Sequence, residues 1–507
     1  MQYGPVVNSQ KQTVVIIIIF LLLKLLIHLP FNGRYGYHAD ELLYVAMAEQ
    51  LAWGYKEGPP FISFITWVWV QLEGDSLWAL RLFPTLCGAA LVGLTGLMVR
   101  LLGGGSFAVL IACIAILLDP SFLATGYMMQ PVVFDQLGWA LCSFFLIRFV
   151  KRGNTNDLFY LGVTAGLGMM NKFSIALYLC CLLAALFTGA GRKLTAREML
   201  YIVIPGIVIV FPHLIWQVDN DFPFVTQLGE LNTYYWSKTD YSTLMQQMLF
   251  SHGASGVVCG VGLVFLLFST SLRPYRFIGI SFLLLQLVFL CLQAKTYYSF
   301  GAFPVLYAAG AICTAELLKK WKRPLVSAAF FVMIILSGVL AMPAVVPVLR
   351  LNHTIAWLDI MRKHTGITGP LKWDDGTTGQ VPQYFAQMLG WEKLAKETVL
   401  VYRSLPESKR ASTVVLTDNY QQAGAISFFG KDQVPATASI RPSFFSIEDV
   451  NEEPEYTIIV ASRPRNESST PGLLSCQRIH YPNAEVNGSV IYLIRHRKAA
   501  IAYQSPD

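Results

Sequence analysis

Two adjacent acids, Asp40 and Glu41, stand in the stretch Tyr35-Gly-Tyr-His38-Ala-Asp40-Glu41-Leu-Leu-Tyr44, and the cluster Gly54-Tyr55-Lys56-Glu57-Gly58-Pro59-Pro60 follows just before the chain turns apolar again. A carboxylate at a water–lipid boundary can take a proton from a hydroxyl, or share a divalent cation such as Mg or Mn with a phosphate. The spacing also allows a plainer role, in which Asp40 is the N-cap of a helix over 41–52 whose Leu42, Val45, Ala46 and Leu51 lie on a bilayer surface. Once the chain is laid out across a membrane, Arg81, Asp119, Asp135, Lys172, Asp219, Lys295, Tyr297 and Tyr298 fall near the same boundary. Taken singly, each suits snorkelling or a structural ion pair. Taken together, they describe a pocket for an anionic headgroup. Arg81, Lys172, Lys295 and Lys56 would hold phosphate, Lys295 foremost because Tyr297 and Tyr298 beside it would add hydroxyl donors, and an acid would do the chemistry. Glu41 and Asp135 are the candidates for a metal. Lys24, inside the first apolar run, reads as a snorkelling residue.

The elements that must position these residues follow from composition. Of 507 residues, 54% are apolar and only 14% charged, against roughly 25% charged in soluble domains. Runs of apolar residues long enough to cross a hydrocarbon core about 30 Å thick recur along the first two thirds of the chain. They predict eleven spans, at 13–31, 77–101, 105–123, 132–150, 157–171, 173–190, 200–217, 247–269, 276–294, 301–318 and 325–346. The first run is not followed by a small-x-small cleavage site and reads as a retained span.

The net charge of +7 comes from small basic clusters between apolar runs, among them Lys11, Arg100, Lys151, Arg152, Arg192, Lys193, Lys319 and Lys320. That is the pattern of cytoplasmic loops, not of a nucleic-acid surface. With a cytoplasmic N-terminus, the loops 32–76 and 218–246 and the tail from about 347 lie on the opposite side. Of the nine cysteines, all but Cys476 fall in apolar runs, and no disulfide framework or zinc spacing exists. The expected domains are a multi-span membrane domain over 1–346, with its first outer loop at 32–76, and a small α/β domain over 347–507. In the tail, 391–404 reads as an amphipathic helix, and 412–417, 456–460 and 490–494 read as short strands. Asn466 and Asn487 open glycosylation sequons.

The motifs His38-Ala-Asp40-Glu41-Leu-Leu-Tyr44, Gly54-Tyr55 with Pro59-Pro60, and Gly74-Asp75-Ser76-Leu-Trp78-Ala-Leu-Arg81-Leu resemble bacterial PMT-type glycosyltransferases, whose relatives include protein O-mannosyltransferases and the lipid A aminoarabinose transferase. The resemblance continues through Asp135, Asn171-Lys172-Phe173, Pro212-His-Leu-Ile-Trp216-Gln217 and Lys295-Thr-Tyr297-Tyr298 with Pro304. It extends into the tail at Leu389-Gly390-Trp391 and Asn419-Tyr420-Gln-Gln-Ala423-Gly424-Ala425. No one motif is diagnostic, but their order and spacing together are specific. One departure stands at Gly58, where many members carry His or Lys before the Pro pair; here Lys56 lies two residues earlier.

The resemblance implies a GT-C fold, a helical membrane bundle that holds a polyprenyl-phosphate sugar while the first outer loop supplies the catalytic acid, here Asp40. The implied activity is transfer of that sugar to a lipid, glycan or protein acceptor on the periplasmic side of a bacterial inner membrane, by inverting single displacement. The alternative is a transporter or flippase of an anionic polyprenyl-linked lipid, which paired, interrupted helices in repeat-related halves would favour. No such symmetry is visible in the sequence.

Overall fold

The computed structural model describes residues 6–74, 76–188, 193–226, 229, 241–441, 443–445, 454–466 and 470–496. Asp75, Arg192, residues 227, 228 and 230–240 of the loop 218–246, and the last two residues of the Asn466 sequon lie outside them. The chain divides into two compact units. The first comprises Met1–Gly33, Ala52–Ile62 and Trp78–Val348, and the second Arg34–Leu51, Ser63–Leu77 and Leu349–Asp507.

The first unit is helical, and every predicted span coincides with a helix or a helix pair. Among the described residues, seven helices are long and apolar enough to cross a membrane, from Gln10–Phe31 to Pro324–Val345. An eighth is reached if the bent pair Tyr241–Phe250 and Gly253–Phe268 counts as one span. The remaining predicted spans fall on shorter helices, and local chemistry explains their length. The predicted span 105–123 is cut after Leu117, because Asp119 leaves helical geometry and accepts the Ser121 N–H at 2.7 Å, with Pro120 opening a new six-residue helix. The predicted spans 157–171 and 173–190 stay separate, since Lys172 is extended between Thr155–Asn171 and Ser174–Thr188. Those helices, of 17 and 15 residues, are short for a crossing.

The interior of this unit is aromatic and tightly spaced. Trp139 and Tyr178 stack at 4.5 Å between ring centroids, and both are almost fully buried. Helices Gly256–Phe268 and Phe303–Trp321 approach to backbone contact at Gly262 and Gly310, where a Cβ on Gly310 would lie 1.9 Å from the Val258 carbonyl oxygen. Small residues at such crossings let helices gain dispersion contacts where lipid supplies no hydrophobic drive.

The second unit is built on a five-stranded sheet in the order β2-β1-β3-β5-β4, with β1 Thr413–Thr417, β2 Thr437–Ser439, β3 Tyr456–Ala461, β4 Leu473–Arg478 and β5 Val490–Arg495. β2, β1 and β3 are parallel, while β5 runs antiparallel to both β3 and β4. The parallel strands β1 and β3 are buried at every position, which is why they read as unbroken β-branched runs. β2 and β4 were not among the predicted strands. β2 is three residues long, and β4 is an exposed edge carrying Ser475, Cys476, Gln477 and Arg478. The predicted tail helix forms as Trp391–Ser404. Ala39 and Leu42, from the helix Ala39–Glu49, share a core with Leu394, Val415, Ala425, Ile458 and Leu493.

Candidate active site

Asp40 lies in the first turn of the helix Ala39–Glu49, but it is not the cap that its spacing suggested. His38 takes that place. Its Nδ1 accepts the Asp40 N–H at 3.1 Å, and the Glu41 carboxylate closes the capping box by accepting the His38 N–H at 2.8 Å. A histidine before Ala-Asp-Glu was the sequence signal for this arrangement, since Glu at the third helical position is the reciprocal half of the box. With the backbone donors satisfied by His38, the Asp40 carboxylate is free of capping duty. Its Oδ1 accepts the Tyr420 hydroxyl at 2.9 Å, its Oδ2 stands 3.8 Å from His38 Nδ1, and its side chain keeps 27% of its surface exposed.

Because His38 Nδ1 is an acceptor, the neutral ring carries its proton on Nε2, which faces Gln387 Oε1 at 3.1 Å. Gln387 Nε2 in turn donates to Glu485 Oε1 at 3.3 Å. The second oxygen of Glu485 is buried without a hydrogen-bond partner. Burial, aided by the charges of Asp40 and Asp374, pushes the Glu485 carboxyl up to about 7 despite bonds from Gln387 and Gln383. The sequence reading missed His38, Gln387 and Glu485 as parts of one network, and it noted Tyr420 only through its motif.

The predicted cations lie in the first unit and differ among themselves. The Lys172 ammonium sits 3.8 Å from the Tyr298 ring centroid and 5.1 Å from that of Tyr297. The two tyrosines expected to assist Lys295 thus offer their faces to Lys172, a cation–π cage on a partly exposed lysine. Lys295 precedes the turn Thr296–Ala302 and is partly exposed. Arg81 is fully buried, donates to the Asn32 carbonyl at 2.9 Å and lies over the Tyr127 ring. Lys56 is exposed in a tight turn closed by two hydrogen bonds between Tyr55 and Gly58, where the glycine's φ of 152° suits the reversal. The base of that hairpin is fixed by His213 Nδ1, 2.6 Å from the Trp53 carbonyl oxygen, and by Trp216, which fills the space a Gly54 side chain would need. Lys24 does not snorkel. It is 1% exposed and donates to the Phe122 carbonyl at 2.8 Å, because the helix start at 120 brings acceptors within its reach.

The candidate metal ligands belong to different units, and each is engaged by protein groups. Glu41 is fully buried and committed to the cap, while Asp135 accepts from Trp139 Nε1 at 2.9 Å and Ser174 Oγ at 3.0 Å. Among the described residues no three His, Cys, Asp or Glu side chains cluster as a cation site.

Residues 57–216 match the family described as dolichyl-phosphate-mannose-protein mannosyltransferase. Over 199 residues the chain is 27% identical to the lipopolysaccharide core galacturonosyltransferase RgtB of Rhizobium johnstonii, a match spanning 38% of this chain and 40% of that protein's length. In structure it is similar to ArnT from Cupriavidus metallidurans bound to undecaprenyl phosphate, with a TM-score of 0.62 over 96% of this chain and 98% of the other, at 14% identity. It is also similar to the oligosaccharyltransferase AglB from Archaeoglobus fulgidus in complex with an inhibitory peptide and a dolichol-phosphate, at a TM-score of 0.50 over 88% and 69% of the two chains and 11% identity. The chain is therefore a multi-pass membrane protein of the GT-C fold, and its residues 57–216 carry the sequence pattern of PMT-type glycosyltransferases.

Proposed function

We propose that the protein is an integral membrane glycosyltransferase that moves a sugar from a polyprenyl-phosphate donor to a lipid, glycan or protein acceptor on the periplasmic side of a bacterial inner membrane. The observation that carries this reading is the Asp40 carboxylate, relieved of capping by His38, hydrogen-bonded by Tyr420 and still partly open to solvent. The names of RgtB, a transferase of galacturonosyl groups, and of ArnT with its bound undecaprenyl phosphate support the same chemistry.

In this reading the acceptor hydroxyl gives its proton to Asp40 as its oxygen attacks the anomeric carbon. The bond from that carbon to the phosphate oxygen breaks, and polyprenyl phosphate departs with the electron pair. One displacement inverts the anomeric carbon. Cations of the first unit neutralise the leaving phosphate, with Lys172 the preferred residue and Lys295, Lys56 and Arg81 the others. A divalent cation, Mg or Mn, with Glu41 and Asp135 as candidate ligands, remains part of the proposal, and no step is routed through it. A cytoplasmic N-terminus and a periplasmic tail complete the proposal, on the strength of the basic clusters between spans.

The test is purified protein in detergent with radiolabelled undecaprenyl-phosphate sugars and an envelope lipid extract as acceptor. Asp40→Asn keeps size and fold and is expected to lower transfer by about 10²- to 10⁴-fold, the usual scale of a general base, while donor binding persists. Turnover near that of the unaltered protein would overturn the base assignment, and a product that retains the donor's anomeric configuration would overturn single displacement. A C-terminal alkaline phosphatase fusion reports the side of the tail and is expected to be active.

A further inference from the structure

We infer that the sheet-bearing part of the second unit positions the Asp40 carboxylate through two arms, Tyr420 on one side and the chain His38, Gln387 and Glu485 on the other, so that Tyr420 and Glu485 are positioning residues of the transfer reaction. The inference rests on Asp40 as the base. It assigns to residues 383–485 a part in the chemistry that neither the matched stretch 57–216 nor the motif around Asp40 contains.

The first arm is short. Tyr420 opens the helix Tyr420–Phe429, whose start is capped by Asn419 accepting the Gln422 N–H at 3.1 Å. That helix packs closely on the helix Ala39–Glu49, with a Cβ on Gly424 meeting Leu42 at 3.5 Å. The hydroxyl therefore arrives at Asp40 Oδ1 from a rigid element. A donor on one carboxylate oxygen fixes the plane of the carboxylate.

The second arm fixes a tautomer. Glu485 Oε1 accepts from the Gln387 amide N–H, which turns Gln387 Oε1 toward His38, which in turn requires the His38 proton on Nε2 and leaves Nδ1 to bond the Asp40 N–H. Backbone bonds hold the arm in register, Ala39 N–H to the Gln387 carbonyl at 3.0 Å and Glu485 N–H to the Ala386 carbonyl at 3.2 Å. Were the Gln387 amide reversed, its N–H would face Nε2 and force the His38 proton onto Nδ1, against the Asp40 N–H. The carboxylate form of Glu485 selects the working orientation. The groups acting on Glu485 are the carboxylates of Asp40 and Asp374 and the amides of Gln383 and Gln387, with His38 one hydrogen bond beyond. Burial and those two charges place its ionisation at about 7, so the orientation is sensitive to pH near neutrality.

The experiment uses the full-length protein in detergent, the same radiolabelled undecaprenyl-phosphate sugars, and the variants Asp40→Asn, Tyr420→Phe and Glu485→Gln, each checked for a folded thermal transition. Tyr420→Phe is expected to lower kcat about tenfold, the scale of one hydrogen bond to a charged group, with the donor KM unchanged. The unaltered protein is expected to gain activity as pH rises through about 7, and Glu485→Gln to lose that inflection. If Asp40→Asn is inactive while Tyr420→Phe keeps full kcat and Glu485→Gln keeps the inflection, the inference is overturned and the base assignment stands. An active Asp40→Asn overturns both. Should Tyr420→Phe fail to fold, the pH profile of Glu485→Gln alone decides.

Discussion

The two units hold their ionisable groups by opposite means. In the first, Lys24 bonds to a carbonyl, Arg81 to another carbonyl and a ring, Lys172 to ring faces, and the fully buried Asp119 accepts from His252 Nδ1 at 2.6 Å and from the Tyr307 hydroxyl. In the second, Asp40 is held by Tyr420 and by His38, which bonds Gln387 in turn, and its carboxylate keeps access to water. A region surrounded by lipid must satisfy a charge locally and permanently. A region at a wet surface can leave one charge incompletely satisfied, and that remainder is what a reactant can use. The contrast teaches that burial alone does not mark the acid a reactant can reach, since Asp119 is far more buried than Asp40, the proposed base.

The largest expected effect breaks the first half of that contrast. Asp119→Ala would leave His252, Tyr307 and the Ser121 N–H without their shared acceptor, and is expected to cost about 3–5 kcal/mol of stability, the scale for removing one member of a buried charged pair. Its thermal midpoint in detergent should fall sharply, and an unchanged midpoint would mean that the buried acid is not a structural anchor.

The next effect sharpens the second half. The Glu485 carboxyl is raised from about 4.5 to about 7, so between those values the folded protein holds a proton that the unfolded chain has lost. The contribution of Glu485 to the stability of the second unit is then greatest below about 4.5, falls as pH rises, and levels off above about 7. Hydrogen exchange of the strands at pH 5 and pH 8 measures this, and Glu485→Gln should flatten the difference.

A smaller effect is expected at Lys172. Lys172→Met keeps the contact with Tyr297 and Tyr298 but removes the charge, and should raise the apparent donor constant by about tenfold with the protein still folded. No change would move the phosphate contact to Lys295. The smallest is Lys56→Ala. As an exposed turn residue its loss should alter stability by less than about 0.5 kcal/mol, and donor use at wild-type level would remove it from the phosphate group.

What the sequence disclosed follows from how local each signal is. Helices in the first unit were legible because each apolar run is its own evidence, and the break within 105–123 was hidden because a single capping residue, Asp119, interrupts a run that stays apolar on both sides. Strands β1, β3 and β5 announced themselves as β-branched runs, whereas β4 is polar because it is an exposed edge. Asp40 stood out by its neighbours. Its partners could not, since Gln387 and Tyr420 are ordinary residues until folding brings them 349 and 380 positions back along the chain to His38 and Asp40. Lys24 was misread for the same reason, its acceptor lying 98 residues away.

The separation of Asp40 from Tyr420 also sets a clock. A ribosome adding about 5–20 residues per second needs roughly 20–75 s to travel the 380 positions between them. Throughout that interval the nascent chain carries the segment Ala39–Glu49 with Ala39 and Leu42 lacking the core partners that only the last hundred or so residues supply. Termination after Val348 but before β5 would therefore release the whole first unit with Ala39 and Leu42 lacking part of their core.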